Sequence, residues 1–491
     1  MLYHSTRNAG LTAPSTHAVL EGIAPDGGLY ICDPAQLHFD WQGALKLDTM
    51  DMAAKILSAL LPDFSDMDDI VRRSYAGKFP TMDLTPLVPV GGSYVLELYH
   101  GPTSAFKDVA LSVLPRLIGA AARAEGMTGD VVILTATSGD TGKAALEGFH
   151  DVKGTRIIVF YPEGGVSAVQ QAQMATQTGD NVKVCAVRGN FDDAQAGVKR
   201  IFSDEAIRAT LADRGYFLSS ANSINWGRIL PQVVYYISAY CDLVRDGKLS
   251  MGDKVNFCVP TGNFGDILAG YFAKCMGLPV GRLVCASNAN DVLTEFISTG
   301  RYDRRRPFYK TTSPSMDILV SSNLERLLFL LSRDPAYVAE LMRQLREDGV
   351  YQLSDRLLAQ LKQDFSCGCC DDKGAADVIG RLWREQHYLC DPHTAVAWSV
   401  AEQLSEELHD TGAPTVVLST ASPYKFPAAV LSALGRETGE NEFFMMNELC
   451  RISGVPIPRN LAGLEGRPVL HKDVIDKDAM LDYVLAEVLK K

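Results

Sequence analysis

From about Val131 onward, short β-branched runs alternate with amphipathic stretches, and this alternation constrains the chain more than any other feature. VVILTA at 131–136 leads into GKAALEGFH, RIIVFYP at 156–162 into VSAVQQAQMAT, and VKVCAVRG at 182–189 into DDAQAGVKRIF. VNFCVP at 255–260 leads into GDILAGYFAKC, and RLVCAS at 282–287 and PTVVLST at 414–420 follow in the same style. Short buried strands separated by helices build βαβ units, which give a mainly parallel sheet covered on both faces. The predicted class is therefore α/β. Residues 1–90 form a prologue of different texture, with a turn-rich GIAPDGGLY and a helical DTMDMAAKILSALL. At 491 residues the chain suits about three units by a prior of roughly 100–200 residues per domain. RYDRRRPF at 301–308, the most hydrophilic patch, reads as a solvated loop.

The formal net charge of -12 argues against nucleic acid and anionic membranes as partners, because the field repels polyphosphate. It does not exclude a small phosphorylated substrate, which responds to local charge. The 11 cysteines are odd in number and scattered through apolar contexts, which predicts reduced thiols rather than a disulfide framework. No window approaches a membrane span, and MLYHSTRNAG lacks the pattern of an export signal. A cytoplasmic enzyme is expected.

In open α/β sheets ligands sit beyond the carboxyl ends of the strands, so the loops after VVILTA, VNFCVP and PTVVLST are where chemistry is sought. The first reads Thr137-Ser138-Gly139-Asp140-Thr141-Gly142-Lys143. A P-loop needs Gly where Thr137 stands and Ser or Thr where Ala144 stands, so the nucleotide reading fails. What remains is a turn opening a helix, a place suited to a phosphate or carboxylate and equally to an ordinary capped helix start. The second reads Thr261-Gly262-Asn263-Phe264-Gly265-Asp266, again glycine-rich at a helix start. Upstream lies Gly101-Pro102-Thr103-Ser104-Ala105-Phe106-Lys107-Asp108. The first turn of a helix is a poor place for a charged lysine, because the dipole disfavours a cation there. Apolar neighbours would make the Lys107 amine give up its proton and become a nucleophile.

Taken in order, PTSAFKD, SGDTG, TGNFGD and STASPYKFP resemble the threonine synthase family, within the tryptophan-synthase-β-like (fold type II) pyridoxal-phosphate enzymes. PDGGLY at 25–30, NSINWGRILPQ from Asn222 and SPSMDILVSSNLERLLF from Ser313 are similar to that family too. The resemblance implies two open parallel-type α/β domains, at 91–230 and 231–491, with the cofactor in the cleft between them, after an N-terminal domain at 1–90. It implies that Lys107 carries pyridoxal 5'-phosphate as a Schiff base, that Gly262, Asn263, Phe264 and Gly265 cradle the cofactor phosphate, and that Thr420 faces the pyridine nitrogen. A neutral hydroxyl there leaves the ring a gentler electron sink, suited to elimination and replacement. Ser138 would lie near the cofactor's ring oxygen and the substrate carboxylate. Thr141, Asn222, Ser223 and Arg228 match positions that hold the substrate phosphate in relatives, and an arginine fork suits phosphate oxygens. Many fold type II enzymes carry Asn where this chain has Asp140. An ionised carboxylate cannot donate a hydrogen bond, so the donor to the ring oxygen stays open.

The implied reaction converts O-phospho-L-homoserine and water to L-threonine and phosphate, by γ-elimination and then β-addition of water, in a monomer or small homo-oligomer. Two other readings stay open at this point: a serine or threonine dehydratase or phospholyase of the same fold, and a non-catalytic binding relative. Cys367, Cys369 and Cys370 lack the two-residue gap of zinc knuckles, so no metal site is expected. His100 is a candidate for lining the cleft, with a structural role weighing more.

Overall fold

A computed structural model describes residues 2–490 apart from His38, Met82 and Ser138. In chain order its strands are β1 (Tyr3–Ser5), β2 (Thr12–Ala13), β3 (Tyr30–Ile31), β4 (Leu87–Val90), β5 (Ser93–Glu97), β6 (Asp130–Ala136), β7 (Thr155–Pro162) and β8 (Val182–Arg188). Then come β9 (Tyr216–Ser219), β10 (Val255–Pro260), β11 (Val280–Ser287), β12 (Arg301–Asp303), β13 (Val350–Gln352), β14 (Phe365–Cys369), β15 (Thr415–Ser419) and β16 (Asp473–Asp476).

One sheet is wholly parallel and runs β16-β8-β7-β6-β9. The second runs β14-β11-β10-β15-β5-β4 and is parallel except for the β4–β5 hairpin. Helices cover both faces of such sheets, which is why every residue of β10 is buried and its sequence is apolar nearly throughout. The α/β class read from the alternation is the one observed.

Sheet membership cuts across the divisions drawn at residues 90 and 230. β4 ends at residue 90 and β5 lies just after it, within 91–230, yet β5 pairs with β15 in the second sheet, Val416 opposite Tyr94. β16 returns from the far end of the chain to extend the first sheet beside β8. The pairing of β5 with β15 brings the loops that follow them into contact.

The N-terminal domain holds the antiparallel sheet β2-β1-β3 and the helices Ser15–Glu21, Thr49–Leu60 and Met67–Tyr75. In Thr49–Leu60 the buried residues Ala53, Ile56, Leu57 and Leu60 recur at helical spacing. The Asp48 side chain caps that helix, accepting from the Asp51 N–H at 2.8 Å. Arg326 ties this domain to the rest. Its wholly buried guanidinium donates to the Tyr30 carbonyl at 2.9 Å and the Ile224 carbonyl at 2.7 Å, and lies 4.8 Å from the Trp226 ring centre. The helix Trp226–Arg245 is buried almost all round, which explains its unusually apolar sequence.

RYDRRRPF is only partly the solvated loop expected. Arg301–Asp303 pairs antiparallel with β13, because buried Tyr302 stacks on Tyr351 at 5.3 Å while Asp303 gathers Arg301 and Arg305 outside. Among the described residues no helix is long and apolar enough to cross a membrane.

Candidate active site

Lys107 opens the helix Lys107–Ala124, and the loop before it is fixed to the loop after β15. The Phe106 N–H donates to the Thr420 carbonyl at 2.8 Å, the Ser422 N–H to the Ser104 carbonyl at 3.1 Å, and Ala105 bridges Ala421. Buried Asp108 closes the turn by accepting from the Thr103 N–H at 2.8 Å and the Thr103 hydroxyl at 2.6 Å. Backbone held on both sides leaves the Lys107 side chain one direction to take. It is 11% exposed, with Nζ 3.9 Å from Asp140 Oδ2 and 4.5 Å from the Phe106 ring centre.

Burial pushes the Lys107 amine down to about 8, with Lys425 and Arg228 adding to the effect and Asp140 and Asp108 opposing it. An amine so placed gives up its proton far more readily than an ordinary lysine, with about a tenth of it free base at neutrality. Burial also raises the Asp108 carboxyl to about 6, against the pull of its Thr103 hydrogen bonds. Asp140 behaves oppositely. Burial alone would raise it, but Lys425 and Lys107 outweigh burial and hold its carboxyl well below the usual range.

Asp140 begins the helix Asp140–Phe149 after β6. Its Oδ1 lies 2.5 Å from Lys425 Nζ and accepts from Gln170 Nε2 at 2.9 Å. Gly139 has φ of 141°, and a Cβ there would sit 2.4 Å from the Gln170 side chain. Only glycine lets Gln170 cross the loop to reach Asp140. Thr141 follows in the same first turn and is half-buried.

Arg228 lies in the helix Trp226–Arg245 and is 3% exposed. Burial brings its guanidinium down to about 10, with Tyr235 opposing. One nitrogen, Nη1, donates to the Ala221 carbonyl, and Nε has no hydrogen-bond partner among the described residues. A buried donor without an acceptor is costly. Asn222 and Ser223 lie just before the helix. The Asn222 N–H donates to Ser220 Oγ at 3.1 Å, and Ser223 Oγ is 3.4 Å from Ser322 Oγ.

Ser322 in turn approaches Asn263 Oδ1 at 3.4 Å, so the Asn222–Ser223 turn adjoins the Gly262–Gly265 loop. That loop is braced from the segment 315–323. Ser321 Oγ donates to the Gly262 carbonyl at 2.9 Å and the Asn323 N–H to the Asn263 carbonyl at 3.1 Å. Phe264 adopts φ 61° with its ring buried, and the helix Gly265–Cys275 begins at once, so its first N–H groups lack intrahelical acceptors. A Cβ on Gly262 would sit 2.8 Å from the Ser315 carbonyl oxygen. Ser315 cannot retreat freely, because its N–H donates to His393 Nε2 at 3.1 Å while His393 Nδ1 lies 2.5 Å from Asp391. Accepting at Nε2 leaves Nδ1 to carry the proton toward Asp391. Thr420, 6% exposed, follows the last residue of β15, Ser419, whose hydroxyl is 2.9 Å from that of Thr394.

Lys107 thus lies beside Asp140 and within the electrostatic influence of Arg228, Ser223 adjoins the 262–265 loop through Ser322, and Thr420 is joined to Lys107 through Phe106. Ser138 lies outside the described residues. Lys425, Gln170, Ser315 and Ser322 also build the site and were not singled out from sequence. The signal for Lys425 was present: a lysine between Tyr424 and Phe426 in a proline-flanked motif is badly placed for solvent. His100 pairs with Glu97 at 2.7 Å. Cys367 Sγ approaches Ser298 Oγ and the Thr294 carbonyl, and burial raises all three thiols of that cluster.

Three family models match the chain: threonine synthase N terminus over residues 2–75, pyridoxal-phosphate dependent enzyme over 79–421, and threonine synthase, C-terminal over 394–484. The threonine synthase-like 1 protein of Pongo abelii is 38% identical over 451 residues, covering 88% of this chain and 60% of that protein. The chain therefore spans about 60% of the length of that relative and its primate counterparts. The threonine synthase of Saccharomyces cerevisiae is 38% identical over 470 residues, covering 88% of this chain and 89% of that one. Among solved structures, a threonine synthase from Brucella melitensis with pyridoxal phosphate bound is 38% identical, with a TM-score of 0.87 over 99% of this chain and 98% of that one. The chain belongs to the threonine synthase family of pyridoxal-phosphate-dependent enzymes.

Proposed function

We propose that the chain converts O-phospho-L-homoserine and water into L-threonine and phosphate, using pyridoxal 5'-phosphate carried on Lys107. The observation that carries the reading is a buried amine pushed down to about 8, sharing its site with a buried guanidinium whose Nε lacks a partner among the described residues. One group is made to be a nucleophile and the other to receive an anion.

The residues fit the cofactor. The 262–265 loop offers a helix start where the Ser315 carbonyl would exclude a side chain on Gly262, so only glycine brings the backbone close to a phosphate. Gly262, Asn263, Phe264 and Gly265 would hold that phosphate, Thr420 would face the ring nitrogen, and Ser138 would face the ring oxygen and the substrate carboxylate. Bound there, pyridoxal phosphate supplies an electron sink for the carbanions formed at the substrate's Cα and Cβ.

Lys107 does the proton work. As a free amine its Nζ would be a base of suitable strength for the Cα proton, since a general base works best with a pKa near the working pH. Arg228, Thr141, Asn222 and Ser223 hold the substrate phosphate, and their fixed donors gain in strength as charge develops on the departing oxygen. The low dielectric around Arg228 and Lys107 strengthens those contacts relative to water. A small-molecule substrate with no nucleic-acid or membrane partner fits the acidic net charge. A reducing, cytoplasmic setting fits the 11 unpaired cysteines, and a monomer or small homo-oligomer is the expected assembly.

Product analysis with O-phospho-L-homoserine tests the reading. Threonine and phosphate in equal amounts are expected. A keto acid with ammonia would mean a dehydratase, and no phosphate release would mean a different substrate.

A further inference from the structure

The ion pair between Lys425 and Asp140 has no task in the account above, yet it is the most deeply buried pair of opposite charges touching the site, at 0% and 2% side-chain exposure. Asp140 stands between two lysines. Its Oδ1 is 2.5 Å from Lys425 Nζ, and its Oδ2 is 3.9 Å from Lys107 Nζ. One carboxylate shared between two lysines favours the charged form of the nearer one more strongly. Lys425 is the better placed of the two. It is nearer, fully buried, and donates a second hydrogen bond to the Thr103 carbonyl at 3.1 Å. Lys107 is beyond hydrogen-bond reach of Asp140 and keeps 11% of its side chain exposed.

We infer that Lys425 is a positioning residue that engages Asp140 and so makes Lys107 easier to deprotonate; the inference rests on the reading that Lys107 carries the cofactor. The groups acting on Lys107 come from several elements. Asp140 and Asp108 favour its ammonium form, Lys425 and Arg228 disfavour it, and Asp266 of the helix Gly265–Cys275 also interacts with it. Lys425 therefore acts twice. Its charge repels a proton on Lys107, and its contact occupies the carboxylate that would otherwise hold that proton. Gln170 supports the arrangement by donating to the same carboxylate oxygen. Condensation of Lys107 Nζ with an aldehyde forms one C=N bond, breaks the C=O bond and releases one water containing both amine protons. An ammonium must lose its extra proton first, so the state of Lys107 governs loading.

The test measures loading rather than turnover. The full chain is freed of cofactor, pyridoxal phosphate is added, and growth of the visible absorption band is followed between about pH 6 and pH 11, a range that brackets both a depressed and an ordinary lysine. In Lys425→Met, the midpoint of the rate profile is expected to rise by about one to three pH units, with roughly tenfold slower loading per unit at neutral pH. Lys425→Arg keeps the charge and is expected to restore the original midpoint. Asp140→Asn alone is expected to lower the midpoint, and adding it to Lys425→Met to reverse the rise. Near-ultraviolet circular dichroism checks folding, and Asp140→Asn carries the test if Lys425→Met does not fold. A Lys425→Met midpoint at the wild-type value, or an Asp140→Asn profile that does not move, would overturn the inference. A band that survives Lys107→Ala defeats the Lys107 reading, whereas a band that needs Lys107 but ignores Lys425 and Asp140 defeats only this inference.

Discussion

Replacing Gly262 with alanine sets a methyl group 2.8 Å from the Ser315 carbonyl oxygen and 3.2 Å from Met316 Cα. Comfortable non-bonded contacts lie at about 3.5 Å or more, so one backbone segment must move by roughly half an ångström or more. Neither moves easily. Gly262 is held through its carbonyl by Ser321, and Ser315 through its N–H by the buried His393–Asp391 pair. Overpacking of this kind costs about 1–3 kcal/mol. If the cofactor-free loop shifts to relieve it, the backbone N–H groups leave the phosphate position and the cost falls on affinity, weakening pyridoxal phosphate binding about five- to 150-fold. If the loop stays, the cost appears as lost stability instead. Cofactor titration by absorbance and urea denaturation of the same preparation together capture both. Gly92→Ala is the control, because an added Cβ there meets nothing within 4 Å, and it should stay within about 0.5 kcal/mol on both measures. A Gly262→Ala protein with unchanged affinity and unchanged stability would refute the claim that this glycine is required by close approach.

Further predictions concern the two buried cations. Arg228→Ala removes the donors assigned to the substrate phosphate, and hydrogen bonds to charged groups are worth about 1.5–3 kcal/mol. Steady-state kinetics should show kcat/KM for O-phospho-L-homoserine down by about tenfold to 150-fold, with weaker inhibition by free phosphate; unchanged inhibition would separate Arg228 from the phosphate. Lys107 sits near 8 in the folded chain against an ordinary 10.5. Between those values the unfolded chain binds more protons, so this group's contribution to stability rises with pH across that window and its cost is full below it. Lys107→Met should accordingly stabilise the cofactor-free chain at neutral pH by at most about 3 kcal/mol. Urea titrations should show that gain fading toward pH 10.5, and a gain independent of pH would count against the depressed amine.

The strands that carry the site were readable because they are buried on both faces and need only local apolar runs. VNFCVP and β10 coincide at 255–260, and VVILTA differs from β6 by one residue. The exchange of strands between sheets was not readable. β16 is short and mostly exposed, with no apolar run to mark it, and β5 reaches its sheet by pairing with a strand far along the chain. Arg301–Asp303 was hidden for a related reason: its strand character rests on one buried tyrosine among arginines. At the site, Lys107 and Arg228 stood out through motifs that resemble a family. Lys425 stood in one of those motifs, but its meaning depends on Asp140, which only the folded chain brings within 2.5 Å. The brace from Asp391 through His393 to Ser315 is likewise a tertiary fact.

The central claim is that Lys107 holds the cofactor by its side-chain nitrogen. Reduction of the holoprotein with borohydride, followed by peptide mapping, tests it most directly. The account predicts one pyridoxyl phosphate group fixed on the peptide containing Lys107, with Lys425 unmodified. Label on Lys425 or on any other lysine, or a Lys107→Ala chain that still takes the label, would contradict it.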